Sequence, residues 1–155
     1  MMEKVDIRNE SVDRPDGYKI VGYFSKEKVS EQGYNLACIL TLPSEQRKGY
    51  GKVLIDFSYM LSKKENLISG PEKPLSDLGL LSYRAYWLEI ILSEIRESNK
   101  INIKEMSNKT HISEDDIIGT LLANKMIKFH QDNLLILLDC KLKKKLEMGR
   151  KHRKL

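Results

Sequence analysis

The sequence predicts a mixed α/β fold of the α+β kind that ends in a carboxy-terminal helical, winged-helix-like lobe. Three observations predict it. Two β-rich runs lie close together near the amino end, two long stretches with helical apolar spacing follow, and the last third alternates short helical units with a hairpin pattern.

The elements follow in order. Met1–Gly17 is polar, and Asp13–Gly17 (DRPDG) reads as a turn. Tyr18–Phe24 (YKIVGYF) is rich in β-formers and reads as a strand. Tyr34–Leu42 (YNLACILTL) is a nearly continuous apolar run, the pattern of a buried central strand, and Pro43 stops it. The two strands invite a hairpin with Glu31-Gln32-Gly33 near its tip. From Gly49 to about Glu65, Tyr50, Val53, Leu54, Phe57 and Leu61 form a helical stripe. Ser69-Gly70-Pro71 breaks it. A second helix, Leu80 to about Arg96, carries Leu81, Tyr83, Tyr86, Trp87, Ile90, Ile91 and Ile95. Asn102–Asn108 is a short helix, and Ser113 followed by three acids starts another over Ile117–Asn124. Met126–His130 and Leu134–Leu138 flank a turn at Gln131-Asp132-Asn133.

Composition narrows the classes. The 155 residues fit one domain, or one domain with a small appended lobe. No run of about 18 apolar residues occurs, so no membrane span is expected. Met1–Asn9 is charged and does not read as a signal peptide. Cys38 and Cys140 are the only cysteines, which makes neither a disulfide framework nor a zinc cluster, and no metal site is expected. A reducing compartment follows. The net charge of +5 is concentrated in Lys141–Leu155, which alone carries +7. The rest of the chain is therefore slightly acidic.

The segment Leu42–Lys52 (LPSEQRKGYGK) follows an apolar strand and opens an amphipathic helix. A helix amino terminus leaves N–H groups unpaired and favours anions. Gly49 and Gly51 allow close approach of the backbone, and Arg47, Lys48 and Lys52 add cationic charge. The spacing fits neither a dinucleotide fingerprint nor a Walker loop. Taken alone, it is either a diphosphate cradle or a solvated turn that starts a helix.

Longer strings narrow the choice. Tyr23–Lys28 (YFSKEK), Ala37–Pro43 (ACILTLP), Gln46–Lys52 (QRKGYGK), Pro71–Gly79 (PEKPLSDLG), Ser82-Tyr83-Arg84 and Tyr86-Trp87 together resemble the MYST family of histone acetyltransferases, in its order and spacing. The resemblance implies a GNAT-like acetyl-coenzyme A-binding core over residues 18–97, the winged-helix-like lobe over 98–140 and a basic tail over 141–155. It implies transfer of acetyl from acetyl-coenzyme A to lysine ε-amines of histone tails or other proteins. It also implies a nuclear setting and partner subunits of a chromatin complex.

By the same resemblance, Ile39, Leu40 and Thr41 run beside the pantetheine arm. Gln46, Arg47, Lys48, Gly49, Tyr50, Gly51 and Lys52 hold the pyrophosphate, and Ser76 contacts the coenzyme. Glu72 matches the catalytic carboxylate and Cys38 the active-site cysteine. A lysine ammonium, with pKa about 10.4, must lose a proton before attacking a thioester. A carboxylate can take it, better in a dry setting that raises its own pKa. Direct attack by the amine is preferred to covalent transfer through Cys38, which by itself reads as a core filler. An N–H beside Cys38 is a candidate oxyanion donor.

The resemblance departs at the amino end. The 22 residues before Tyr23 hold no Cys or His, so the family's zinc module has no counterpart there. The chain reads as the carboxy-terminal half of the catalytic domain, and a non-catalytic remnant that binds coenzyme or a chromatin partner is the rival reading. Glu45 places a negative charge near the phosphate loop, and Ala85 replaces a coenzyme-contacting serine. For Ile112–Ile136, packing against the coenzyme core is the better account than groove reading, because Glu114, Asp115 and Asp116 have the wrong sign for phosphate. The tail is a weak nucleic-acid contact, a nuclear signal or a solvated helix end.

Overall fold

The structure, a computed structural model, describes residues 19–97, 102–130 and 133–136. The readings of 1–17, of turn residues 131–132 and of the basic tail lie outside the described residues. Strand β1 (Gly22–Ser25) pairs antiparallel with β2 (Cys38–Thr41), with Tyr23 opposite Leu40 and Phe24 opposite Ile39. Their connection turns at 31–32, closed by Gly33 at φ 72, whose N–H reaches Ser30 O at 3.1 Å. Gly22 is required where the strands meet: a Cβ there would stand 2.6 Å from Leu40 O.

The run 34–42 is not the buried central strand its composition predicts. Only Cys38–Thr41 is strand, with alternating exposure, and Cys38 is exposed and not a core filler. The sheet has two strands among the described residues, and helix α1 (Tyr50–Lys64) lies against both. Residues pointing the other way meet solvent. Asn35 and Leu36 are buried, but by a later loop: Asn35 N donates to Gly70 O at 3.0 Å and Glu72 N to Leu36 O at 2.8 Å.

Helix α1 also turns a different face to the core than its apolar stripe predicts. Ile55, Ser58, Tyr59 and Ser62 are buried, whereas Val53 and Phe57 are exposed. The stripe faces the sheet, where Leu54 reaches Gly22 and the Phe57 ring lies 5.9 Å from Phe24, and two strands cannot cover it. The opposite face meets α2 (Asp77–Glu97) through Ile55 and Tyr59, with Ser58 and Ser62 buried beside them. Its two serines satisfy themselves on the backbone, Ser58 on Ile55 O at 2.7 Å and Ser62 on Ser58 O at 3.1 Å.

On α2 the predicted Tyr83, Tyr86, Trp87 and Ile91 are buried, but Leu81 is exposed. Helix α3 (Ile103–Thr110) is capped by the Asn102 side chain, which accepts from Lys104 N and Glu105 N. Helix α4 (Glu114–Ala123) is capped by Ser113. Strands β3 (Ile127–His130) and β4 (Asn133–Ile136) form the second antiparallel pair. The order helix, helix, hairpin is therefore present.

One apolar cluster joins Ile55 and Tyr59 of α1, Tyr83, Trp87 and Ile91 of α2, Met106 of α3, Ile117 and Leu121 of α4, and Met126. Each large side chain buried there contributes about 1.5–3 kcal/mol before entropy is counted. Two of its polar groups pair: Trp87 Nε1 donates to the Tyr59 hydroxyl at 2.8 Å, and the Tyr86 hydroxyl to Asp56 Oδ1 at 2.8 Å. Burial pushes the phenols of Tyr59, Tyr83 and Tyr86 up, so they remain neutral. Among the described residues no helix is long and apolar enough to cross a membrane.

Candidate functional site

A groove of about 630 Å³ opens between the ends of β2, the first turn of α1, the loop before α2 and the exposed side of α2. Ten of the predicted residues line it: Ile39, Leu40, Thr41, Gln46, Arg47, Gly49, Gly51, Lys52, Glu72 and Ser76. Lys48, Tyr50 and Cys38 are not among its lining residues.

The loop 46–50 is exposed along its length. Gly49 caps α1 at φ 91, and Arg47 is also left-handed at φ 61, so the chain curls tightly between strand and helix. No side chain caps the helix. Among the described residues its first amide with a backbone acceptor is that of Lys52, on Gly49 O at 3.1 Å. The N–H groups ahead of it are left for solvent or an anion. Gly51 is not demanded by packing, since a Cβ there would make only an ordinary contact, 3.4 Å from Thr41 Oγ1. Gln46 folds back, its Nε2 donating to Thr41 O at 3.2 Å.

The cations are less available than the sequence suggests. Lys48 Nζ lies 2.9 Å from Glu45 Oε2, and Lys52 Nζ 2.5 Å from Glu89 Oε2. Among the described residues Arg47 makes no ion pair. Glu45 does not act as a bare negative charge beside the loop. It is buried and accepts from Lys19 at 2.6 Å as well as from Lys48. Hydrogen bonds from Lys19 and then Lys48 hold its carboxyl down to about 2, and Lys19 is raised in return.

Across the groove Glu72 lies on a loop whose backbone is fixed on both sides, yet its side chain is exposed. The dry setting expected for the base is thus not found. Ser76 Oγ accepts the Gly79 amide at 3.1 Å, the capping bond of α2, which leaves its own O–H for another partner. Leu75 and Pro74 give the groove apolar walls, and Tyr83 and Tyr86 line it from α2. The Tyr83 hydroxyl is buried without a hydrogen-bond partner. Ala85 lines the groove with no hydroxyl to offer. Around Cys38 the amides are engaged: its own N–H donates to Ser25 Oγ at 3.1 Å and that of Ala37 to Ser25 O at 2.9 Å. The sequence reading missed Glu89, Lys19 and Asp116, which act through contacts 26 to 43 residues apart in the chain.

Open amides, a basic loop and a carboxylate thus share one groove. Comparison with known proteins decides the family, because the MOZ/SAS family profile matches residues 9–155. The chain belongs to the MOZ/SAS family. It is 56% identical over 126 residues to the histone acetyltransferase of the MYST family 2 from Arabidopsis thaliana, covering 81% of this chain and 28% of that protein. It is 53% identical over 124 residues to the histone acetyltransferase ESA1 of Saccharomyces cerevisiae, covering 79% of this chain and 28% of that protein. The chain thus spans little more than a quarter of the MOZ/SAS relatives it matches.

Proposed function

We propose that this chain carries the acetyl-coenzyme A site and the acid–base carboxylate of a lysine acetyltransferase acting on histone tails or other lysine-containing proteins. Residues 18–97 form its GNAT-like core and 98–140 its terminal lobe. The observation that supports this most is the convergence of the 46–52 loop and Glu72 on one groove in a MOZ/SAS chain. Relatives named histone acetyltransferases support the histone substrate class and, with it, a nuclear setting, and partner subunits of a chromatin complex belong to the same reading.

The chemistry of the lining fits the co-substrate. Open amides at 49–51, with Arg47 and Lys52, suit a pyrophosphate, and Lys52 must exchange Glu89 for phosphate when it binds. The apolar stretch of Ile39, Leu40, Pro74 and Leu75 suits the pantetheine arm, with Ser76 as a hydroxyl donor. Acetyl-coenzyme A supplies an activated acyl carbon: the amine lone pair forms the C–N bond as the C–S bond breaks and the thiolate leaves. Glu72 takes one proton from the lysine ammonium, directly or through one water. The second proton that nitrogen sheds as the C–N bond forms passes to the leaving thiolate, and one proton is released overall. The exposed Glu72 carboxylate is free to reach an ammonium bound in the groove. Cys38, outside the groove lining, takes no part in this route.

Calorimetry with acetyl-coenzyme A and the purified chain tests the first half, and an absence of binding removes it. A histone-peptide assay tests the second. Glu72→Gln is expected to lower acetyl transfer about a hundredfold or more with coenzyme affinity retained. Undiminished transfer in that variant removes the role of Glu72.

A further inference from the structure

The loop that carries Glu72 is tied to helix α4 by an ion pair. Lys73, next in the chain, places Nζ 2.8 Å from Asp116 Oδ1 on α4. The Asp116 side chain is only 7% exposed. Its second oxygen accepts the Ser113 hydroxyl at 2.8 Å, and the Asp116 N–H donates to Ser113 Oγ at 3.3 Å. Gly70 passes so close that a Cβ there would lie 2.5 Å from Asp116 Oδ2. The same loop is gripped on its other flanks: Ser69 N donates to His111 O at 3.1 Å, and Glu72 N to Leu36 O at 2.8 Å.

A buried carboxylate is costly unless its oxygens are paired. Capping α4 explains only one of the two, since the Ser113 hydroxyl engages Oδ2 alone. Oδ1 is spent on a residue of another element, 43 positions away, that adjoins Glu72. A general base that drifts by about 1 Å can lose a hundredfold in rate, so anchoring its neighbour matters.

We propose that Asp116 is a positioning residue for Glu72, acting through the Lys73 ion pair and the close seat it gives Gly70. This rests on the reading of Glu72 as the base. The α3–α4 segment then frames the reacting end of the groove.

The test uses the full chain with Asp116→Asn and Lys73→Met, singly and together. Each single change is expected to lower kcat for acetyl transfer about tenfold with acetyl-coenzyme A affinity within about twofold, and the double variant to be no slower than the slower single. A fall in thermal midpoint with kcat retained, or effects that multiply in the double variant, overturns the proposal. Amide exchange gives a readout independent of turnover. Protection at the Glu72 amide is expected to fall about fivefold or more in Lys73→Met while the amides of α1 and α2 keep theirs. Unchanged protection overturns the proposal. If the unmodified chain transfers no acetyl yet this protection falls, the anchoring stands and the acetyltransferase reading fails.

Discussion

Residues 46–50 are exposed without interruption, whereas 69–71, on the loop that leads to Glu72, are buried. The first loop keeps its amides open and leaves its helix uncapped. The second spends its backbone on Asn35, Leu36 and His111. On the proposed function the contrast separates two tasks. A loop that receives a diphosphate has to leave donors unsatisfied, and its own conformation must come from backbone geometry, here Arg47 and Gly49 at positive φ. A loop that presents a reacting group has to be held still by what surrounds it.

Substitutions at the glycines probe this contrast most strongly. Gly70→Ala forces a methyl against the Asp116 carboxylate and is expected to cost about 2–3 kcal/mol of unfolding free energy in urea titration. Gly49→Ala meets no atom within 4 Å and only the left-handed backbone at φ 91 opposes it, so about 1 kcal/mol is expected, with a larger proportional loss in coenzyme affinity. If Gly49→Ala proves the costlier of the two, the contrast between an open and a clamped loop is wrong. Glu89→Gln frees Lys52 from a half-exposed pair and is expected to tighten acetyl-coenzyme A binding about two- to fivefold by calorimetry, more at low salt.

The smallest effect concerns acid. The Glu45 carboxyl is held at about 2, below its ordinary 4.5, so its contribution to stability is complete above pH 4.5 and is lost as pH falls toward about 2. Thermal midpoints of the chain and of Glu45→Gln should differ by a constant amount above pH 4.5 and converge near pH 2. Curves that stay parallel through that window would show that the Lys19 and Lys48 contacts do not form in solution.

Much of this was readable in the chain. Ser113 with three following acids marked the start of α4, Asn102 marked α3, and Gly49 marked α1, because caps are local chemistry. The strings around 46–52 and 71–79 placed the groove residues together through family likeness. Burial was less readable. The apolar run 34–42 and the stripe Val53, Leu54, Phe57 both looked like core, yet their exposure depends on how many strands cover them. The true inward face of α1 uses Ser58 and Ser62, whose hydroxyls disguise it as polar. Lys19–Glu45, Lys52–Glu89 and Lys73–Asp116 join residues far apart in the chain, and no spacing rule announces them.

The apolar cluster that runs unbroken from Ile55 through Trp87 to Leu121 has a practical meaning for anyone dissecting the molecule. Residues before and after 98–101 are not separable parts, because both supply side chains to the same dry interior. Cutting away the terminal helices would strip cover from Tyr83 and Trp87, and the groove should vanish with them. A single melting transition, sensed alike by probes at either end, is what such shared ownership demands.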